Sequence, residues 1–161
     1  ALTGHLVFTT VHANNVFDVI GRFIHMGVDP YSFVSALNGI MAQRLVRVVC
    51  ESCAVNHPLL PHEQEWLRLE LGATDHPRCK RGKGCSHCNG TGFLGRTGVY
   101  EMLEMTGPVV EAASRDDVQY FARVAREQMA GRTRSRHAAE TAAAGKTTVQ
   151  EAMRVANQSE D

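Results

Sequence analysis

The sequence has no excess of charge of either sign: 17 lysines and arginines stand against 17 aspartates and glutamates in 161 residues. A dedicated nucleic acid binder normally carries a clear basic excess, so this balance argues against that class. The chain also lacks any apolar run near the roughly 20 residues that a membrane-spanning helix needs. The hydrophobic content of 43% is ordinary and suffices for one core, or for one core and a small subdomain.

An export signal is also missing from the first residues. Residues 1–10 contain no cationic region and no small-residue cleavage site. The chain starts without a methionine, directly in a strand-like run, and we expect it to be part of a longer protein. In a chain without export signals, cysteines are expected to bind metal rather than to form disulfides, which predicts a cytoplasmic protein.

Four of the five cysteines form two C-x-x-C pairs, Cys50 with Cys53 and Cys85 with Cys88. Each such turn directs two sulfurs to one point, and two turns supply the tetrahedral set that zinc prefers. Because four sulfurs leave no coordination position for water, the pattern predicts a structural zinc site. The alternative is a set of inert buried thiols. Cys79 lies outside both pairs and is predicted to be a loop thiol.

Three histidines near these pairs are further candidate ligands, namely His57, His76 and His87. His87 lies inside the second pair, where its side chain is expected to point away from the metal. The 31 residues between the pairs (residues 54–84) exceed the insert of a compact zinc ribbon. This insert is rich in Pro, Gly, His and Cys and poor in aliphatic residues, so it needs a cross-link to hold its shape.

The first 50 residues predict part of an α/β fold. Residues 6–11 are β-branched and aromatic and apolar on both faces, which predicts a buried strand of a parallel sheet. Asn14 or Asn15 is expected to cap a first helix that ends at Gly27, and Pro30 to begin a second. A single strand needs partner strands, which we expect in the longer protein. The predicted buried stripe of the second helix is Phe33, Val34, Leu37, Ile40, Met41 and Leu45.

The rest of the chain predicts mostly helix. Residues 63–71 and 117–129 have helical patterns, a further helix is expected to begin at Pro108, and residues 98–105 predict a strand. The Ala-rich segment that follows is predicted to stay helical to Asn157.

Two short motifs match known modules only in part. Residues 85–92 match one copy of the C-x-x-C-x-G-x-G module of Hsp40-type chaperones, which use several copies. The run from Gly145 to Thr148 resembles the end of a Walker A loop, but residue 140, where that loop needs glycine, is glutamate. We expect Thr148 to cap a helix instead, with Glu151 at the reciprocal position of a capping box.

Taken together, the motifs resemble those of the type II secretion and type IV pilus ATPases. Residues 2–14 (LTGHLVFTTVHAN) resemble the histidine box of that family, and residues 26–31 (MGVDPY) match the segment that follows it. Residues 42–47 lead into the first cysteine pair as in the secretion branch. Residues 84–101 and 145–155 complete the same order. One departure is His137-Ala138, where the family often has Asp-Gly, and it bears on the packing of the last helices.

The resemblance implies the C-terminal part of a RecA-like P-loop ATPase domain in a hexameric protein. Residues 1–48 would belong to the ATPase core, 49–96 would form an inserted tetracysteine zinc subdomain, and 97–161 would form a strand and a C-terminal helical region. Structural zinc would be bound here, whereas ATP and magnesium would need the Walker motifs of the longer protein. The chain alone is therefore expected not to hydrolyse ATP.

The resemblance also implies partners and site residues. The protein would act in the cytoplasm, docked on the inner-membrane secretion platform, with no nucleic acid partner. His5 and His12 would lie at the two ends of a strand beside the nucleotide and act in catalysis, and Arg96, in a turn, would approach the base. Arg44 and Arg47 would line a subunit interface or cap a helix. A basic cluster could meet acidic phospholipids, although a solvated helix face is the simpler interpretation; it comprises Arg123, Arg126, Arg132, Arg134 and Arg136.

Three other functions remain open at this stage. A type IV pilus extension ATPase could share the cysteines, whereas a twitching-motility retraction ATPase usually lacks them. A chaperone-like zinc module would predict repeated C-x-x-C-x-G-x-G units. The sequence gives no information on the exported substrate.

Overall fold

Two separate hydrophobic cores divide the chain into two units. The computed structural model describes residues 3–13, 15–72, 77–115 and 117–157. Unit 1 comprises Ala1–Ala42 and Glu101–Arg132, and unit 2 comprises Gln43–Tyr100 and Thr133–Asp161. These limits cut across the boundaries predicted near residues 48 and 96, and the three-part domain division stays a prediction.

The described residues form seven α-helices and four strands, a mixed α/β composition as predicted. Strand β1 (Gly39–Val49) pairs with β4 (Phe93–Glu104), and β2 (Ala54–Asn56) pairs antiparallel with β3 (Lys80–Gly82). None of the described helices is long and apolar enough to cross a membrane. In chain order the elements are α1 (Val16–His25), α2 (Pro30–Ala36), β1 (Gly39–Val49), β2 (Ala54–Asn56), α3 (Pro61–Leu71), β3 (Lys80–Gly82), β4 (Phe93–Glu104), α4 (Gly107–Ala113), α5 (Val118–Gln128), α6 (Arg134–Ala143) and α7 (Val149–Asn157).

Helix α1 of unit 1 begins and ends as predicted. The Asn15 side chain accepts hydrogen bonds from the N–H groups of Phe17 (2.9 Å) and Asp18 (3.0 Å), which confirms Asn15 as the cap. Asn14, the alternative, lies outside the described residues. The buried carboxylate of Glu101 accepts from the N–H of Val16 and satisfies a further free donor of the first turn. Gly27 follows the helix with φ of 80°.

The prediction of a buried strand at residues 6–11 is wrong for this chain. The described residues 5–13 have no regular secondary structure. Leu6 and Phe8 are 72% and 87% exposed. A strand is held by hydrogen bonds to a neighbour, and neither two-stranded sheet of the described residues includes this segment. The apolar pattern alone therefore cannot produce a strand here.

The second helix is shorter than predicted. Helix α2 ends at Ala36, and Leu37 has an extended backbone with ψ of 125°. Ile40, Met41 and Leu45, which we expected on the helix, lie in β1 instead. Ile40 is buried and Met41 is 63% exposed, which is the alternation of a strand with one covered face. The β-branched residues Val46, Val48 and Val49 that follow favour the strand and override the helical spacing.

The core of unit 2 explains the departure at His137-Ala138. Ala138 is fully buried on α6, together with Ala139 and Ala142. The His137 ring accepts a hydrogen bond from the N–H of Tyr100 at 3.0 Å and stacks on the Tyr100 ring at 5.6 Å between centroids. Helix α6 packs against both α3 and α7. The two unusual residues therefore each have a defined structural place.

Glu151 links α7 to β1 through a buried carboxylate. The predicted capping box is half correct: the N–H of Glu151 donates to Thr148 Oγ1 at 3.2 Å. The Glu151 carboxylate instead accepts from the N–H and the guanidinium of Arg47, at 3.1 and 2.8 Å, and from Arg154. Burial raises the pKa of this carboxyl, but the arginine and backbone donors outweigh it and lower the pKa to about 2.

We expect Glu151→Gln to lower stability at neutral pH by up to about 3 kcal/mol, because the carboxyl pKa falls from its ordinary 4.5 to about 2 on folding. A depressed carboxyl pKa stabilises the folded state above pH ~4.5 and stops doing so as the pH falls towards 2. Urea unfolding of both proteins across this range should show the difference shrinking with acid. The control Glu140→Gln removes an exposed partner of Arg136 and should change stability by less than about 1 kcal/mol. A difference that does not depend on pH would contradict this account.

Candidate metal centre

The four paired cysteines converge on one point in unit 2. Their Sγ atoms all lie within 4.8 Å of one another. The Sγ of Cys50 is 3.9 Å from that of Cys85, and the Sγ of Cys88 lies 3.9 Å from Cys53 and 3.7 Å from Cys85. A zinc ion with Zn–S bonds of about 2.3 Å requires sulfurs about 3.8 Å apart. All five thiols are free, and these separations are far longer than a disulfide of about 2.05 Å.

Strand pairing closes the long insert between the two cysteine pairs. Cys50 follows β1 directly, and a short 3₁₀ turn, Glu51–Cys53, carries the chain into β2. Strand β3 returns antiparallel to β2, with Ala54 opposite Gly82, and a second 3₁₀ turn, Ser86–Cys88, follows. Because the ends of the insert are paired, its length does not separate the cysteine pairs. The 31-residue insert is therefore compatible with a single four-cysteine site, although it is longer than that of a compact zinc ribbon.

Glycines allow the two arms of the second cysteine loop, before Cys85 and after Cys88, to approach each other. A Cβ on Gly82 would lie 2.0 Å from the carbonyl oxygen of Gly92, and a Cβ on Gly84 would lie 2.6 Å from that of Gly90. Both distances are too short for a side chain, so positions 82 and 84 require glycine. The G-x-G spacing before Cys85 mirrors the spacing after Cys88. This symmetry is the signal from which the contact could have been predicted, and our sequence analysis missed it.

Backbone donors prepare the sulfurs for a cation. The Sγ of Cys88 accepts from the N–H groups of Gly92 (3.2 Å) and Cys85 (3.3 Å). Burial raises the pKa of Cys88, but these donors outweigh it and lower the pKa to about 6. Burial instead raises the pKa of Cys53 to about 11, against the N–H of Gly84, which lowers it. Four thiols this close together ionise fully only when a cation offsets their charge, as metal binding does.

Among the described residues, the other candidate ligands are not part of the four-cysteine group. His87 does not point away from the cluster: its Nδ1 is 3.1 Å from Ser52 Oγ and 4.0 Å from the Sγ of Cys50. Cys79 lies in the loop before β3, as predicted, but its thiol is buried in the core of unit 2, and burial raises its pKa. His57 bonds the buried carboxylate of Glu63 at 2.8 Å. His76 lies outside the described residues.

The predicted nucleotide-site residues lie outside the cysteine cluster. His5 and His12 are exposed on the irregular segment of unit 1, where His5 Nδ1 is 3.2 Å from Thr3 Oγ1. Arg96 is exposed within β4 rather than in a turn. The catalytic and base-binding roles of these three residues stay predictions. Arg47, expected at an interface or a helix end, is paired with Glu151 and lies 4.1 Å above the Phe93 ring.

Comparison with known proteins finds one family across nearly the whole chain. Residues 1–154 match the family described as type II/IV secretion system protein. The chain is 35% identical to the type II secretion system protein E of Klebsiella pneumoniae over 161 residues, which is 98% of this chain and 31% of that protein. It is 39% identical to the type IV pilus assembly ATPase PilB of Thermus thermophilus over 76% of this chain and 14% of that protein. The chain thus spans less than a third of either relative.

Zinc content should separate the paired cysteines from Cys79. We expect one zinc per chain in the unmodified protein and none in Cys85→Ser, because three sulfurs no longer complete the tetrahedron. Cys79→Ser should retain its zinc but lose about 1–3 kcal/mol of stability, since it buries a hydroxyl in an apolar core. Metal analysis and urea unfolding of the three proteins give both quantities. Full zinc content in Cys85→Ser would show that the cluster is not the site.

The glycine contact should be essential for metal affinity. Gly82→Ala places a methyl group where the Gly92 carbonyl lies and should push apart the two arms of the Cys85–Cys88 loop. Because the N–H of Gly92 bonds Cys88, the displacement should weaken zinc binding about tenfold or more in a chelator competition. Gly21→Ala is the matched control, since a Cβ there meets open space. Equal affinities for the two variants would rule out a role for the contact.

Proposed function

Because the chain belongs to the type II/IV secretion system protein family, we propose that it is the C-terminal part of a hexameric ATPase that powers type II protein secretion. The observation that carries this proposal is the family match over residues 1–154, supported by the relatives named type II secretion system protein E. ATP hydrolysis would drive assembly of a pseudopilus. The longer protein would act in the cytoplasm, at the inner-membrane secretion platform.

The cysteine cluster has a structural role in this proposal. Its geometry fits zinc, and zinc held by four thiolates cross-links the two cysteine loops without an open coordination position for substrate or water. The residues of the chain do the rest: β2 and β3 hold the loops together, and the N–H groups of Cys85 and Gly92 stabilise the Cys88 thiolate. The cluster therefore supports the fold and does not take part in ATP hydrolysis.

The nucleotide chemistry would depend on residues outside this chain. A phosphate-binding loop cradles phosphates with backbone N–H groups between a strand and a helix. The Gly145–Thr148 run lies instead between the helices α6 and α7, and Thr147 is buried and donates to the carbonyl of Arg47. We propose that ATP and magnesium bind to Walker motifs of the longer protein, in a RecA-like domain. This chain would contribute His5 and His12, with Arg96 near the base.

Interactions of the longer protein complete the proposal. The subunits would form a homo-hexamer that binds proteins of the inner-membrane platform, with acidic phospholipids as a further contact and no nucleic acid partner. A chaperone-like zinc module is less well supported, because the glycines of the single C-x-x-C-x-G-x-G copy are accounted for by contact with Gly82 and Gly84.

A second candidate function is assembly of type IV pili. The 39% identity to a type IV pilus assembly ATPase favours it. Disruption of the gene in its own host separates the two functions. Loss of exported proteins from the medium with intact pili supports secretion, whereas loss of pili with normal export identifies the pilus function.

The proposed catalytic role predicts a kinetic effect of His12→Ala in the longer protein. If His12 contacts the γ-phosphate or the attacking water, its removal weakens mainly the transition state. We expect kcat to fall by about tenfold to a hundredfold, with KM within a few-fold. Steady-state kinetics and melting temperature are measured on one hexamer preparation. The 161-residue chain alone should show no hydrolysis above background. A destabilised but fully active His12→Ala enzyme would exclude the catalytic role.

A further inference from the structure

Three arginines from three separate elements line one cleft of unit 2. Arg47 is on β1, Arg81 on β3 and Arg154 on α7, and the cleft between them has a volume of about 320 Å³. Phe93 and Gln150 also line it. The volume lies at the lower end of the roughly 300–1,000 Å³ of small-molecule sites. The cleft is therefore large enough for a compact ligand.

Two of the guanidinium groups are held in position. Arg47 donates to Glu151 at 2.8 Å and lies over the Phe93 ring, 4.1 Å from its centroid. Arg154 donates to the other carboxylate oxygen of Glu151 at 3.3 Å. Side chains fixed in this way lose less conformational entropy when a ligand binds. Both remain about half exposed, so their remaining N–H groups are accessible.

The lining carries a surplus of positive charge. Three arginines face one carboxylate, Glu151, and three positive charges less one negative charge leave a surplus of two. That carboxylate is buried and already bonded to both Arg47 and Arg154. The exposed Arg81 has no carboxylate within ion-pair distance among the residues that the structure describes. The chain as a whole has no net charge, so this cleft concentrates positive charge. The arginines repel one another unless an anion offsets their charge.

We propose that this cleft binds a phosphate group. Guanidinium groups are planar, always charged, and match phosphate oxygens with paired N–H donors. A phosphate dianion would offset the surplus of two charges, whereas a single carboxylate would offset only one. The phosphate could belong to a free ion or to a lipid headgroup, which share this chemistry. The proposal concerns this chain alone and does not depend on the proposed ATPase function.

The test is a titration of the zinc-loaded 161-residue chain with inorganic phosphate, in which binding is monitored through the backbone amide NMR signals. We expect saturable shifts at Arg81, Phe93 and Gln150. Arg81→Gln should weaken phosphate binding about tenfold, the effect of losing one charged hydrogen bond. Its melting temperature should not change, because the side chain is exposed and unpaired in the described structure. The control Arg22→Gln removes the same charge from an exposed site on α1 and should leave binding intact.

Two further titrations identify the source of the phosphate and its specificity. Vesicles of phosphatidic acid in phosphatidylcholine test the lipid headgroup, and pure phosphatidylcholine vesicles are their control. Binding of free phosphate or of phosphatidic acid vesicles, weakened by Arg81→Gln only, supports the site and names its source. Acetate tests the carboxylate alternative. The proposal is overturned if neither phosphate form binds saturably, if acetate binds as well as phosphate, or if Arg22→Gln and Arg81→Gln weaken binding equally.

Discussion

The convergence of four sulfur atoms within 4.8 Å is the constraint on which the rest of unit 2 depends. Close thiols repel one another when they ionise and gain little from packing as neutral groups, so their position needs other support. Several features supply it: the pairing of β2 with β3, the contact of Gly82 with Gly92, and the N–H donors to Cys88. All of them place the sulfurs at the spacing of a tetrahedral zinc site.

The same cluster explains why an insert with few aliphatic residues has defined structure. Residues 54–84 contribute one three-turn helix, α3, to the core of unit 2, mainly through Leu67. The ends of the insert are fixed by β2 and β3 and, beyond them, by the cysteine turns. A metal bound by these cysteines would add a cross-link where the hydrophobic core is small. Directly before Cys50, β1 carries Arg47, whose ion pair with Glu151 connects this strand to α7.

The cysteine cluster could be predicted from the sequence because its signal is local and chemical. Each C-x-x-C turn supplies two ligands, and the resulting set of four cysteines can be predicted without knowing the rest of the fold. The same holds for the Asn15 cap and for the helices after Pro108. Residues 6–11 and Ile40 to Leu45 could not be predicted in this way, because an apolar run becomes strand or helix according to its neighbours. The orientation of His87 could not be predicted either, because its ring contacts Ser52, which is distant in sequence and comes close only in the folded structure.

The central claim is that Cys50, Cys53, Cys85 and Cys88 hold one zinc ion in a closed four-sulfur site. X-ray absorption at the zinc edge of the purified chain measures the identity and distance of the ligands directly. The account predicts four sulfur ligands at about 2.3 Å and no nitrogen or oxygen ligand. A first shell with fewer than four sulfurs, or one that includes an imidazole nitrogen such as that of His87, would contradict it.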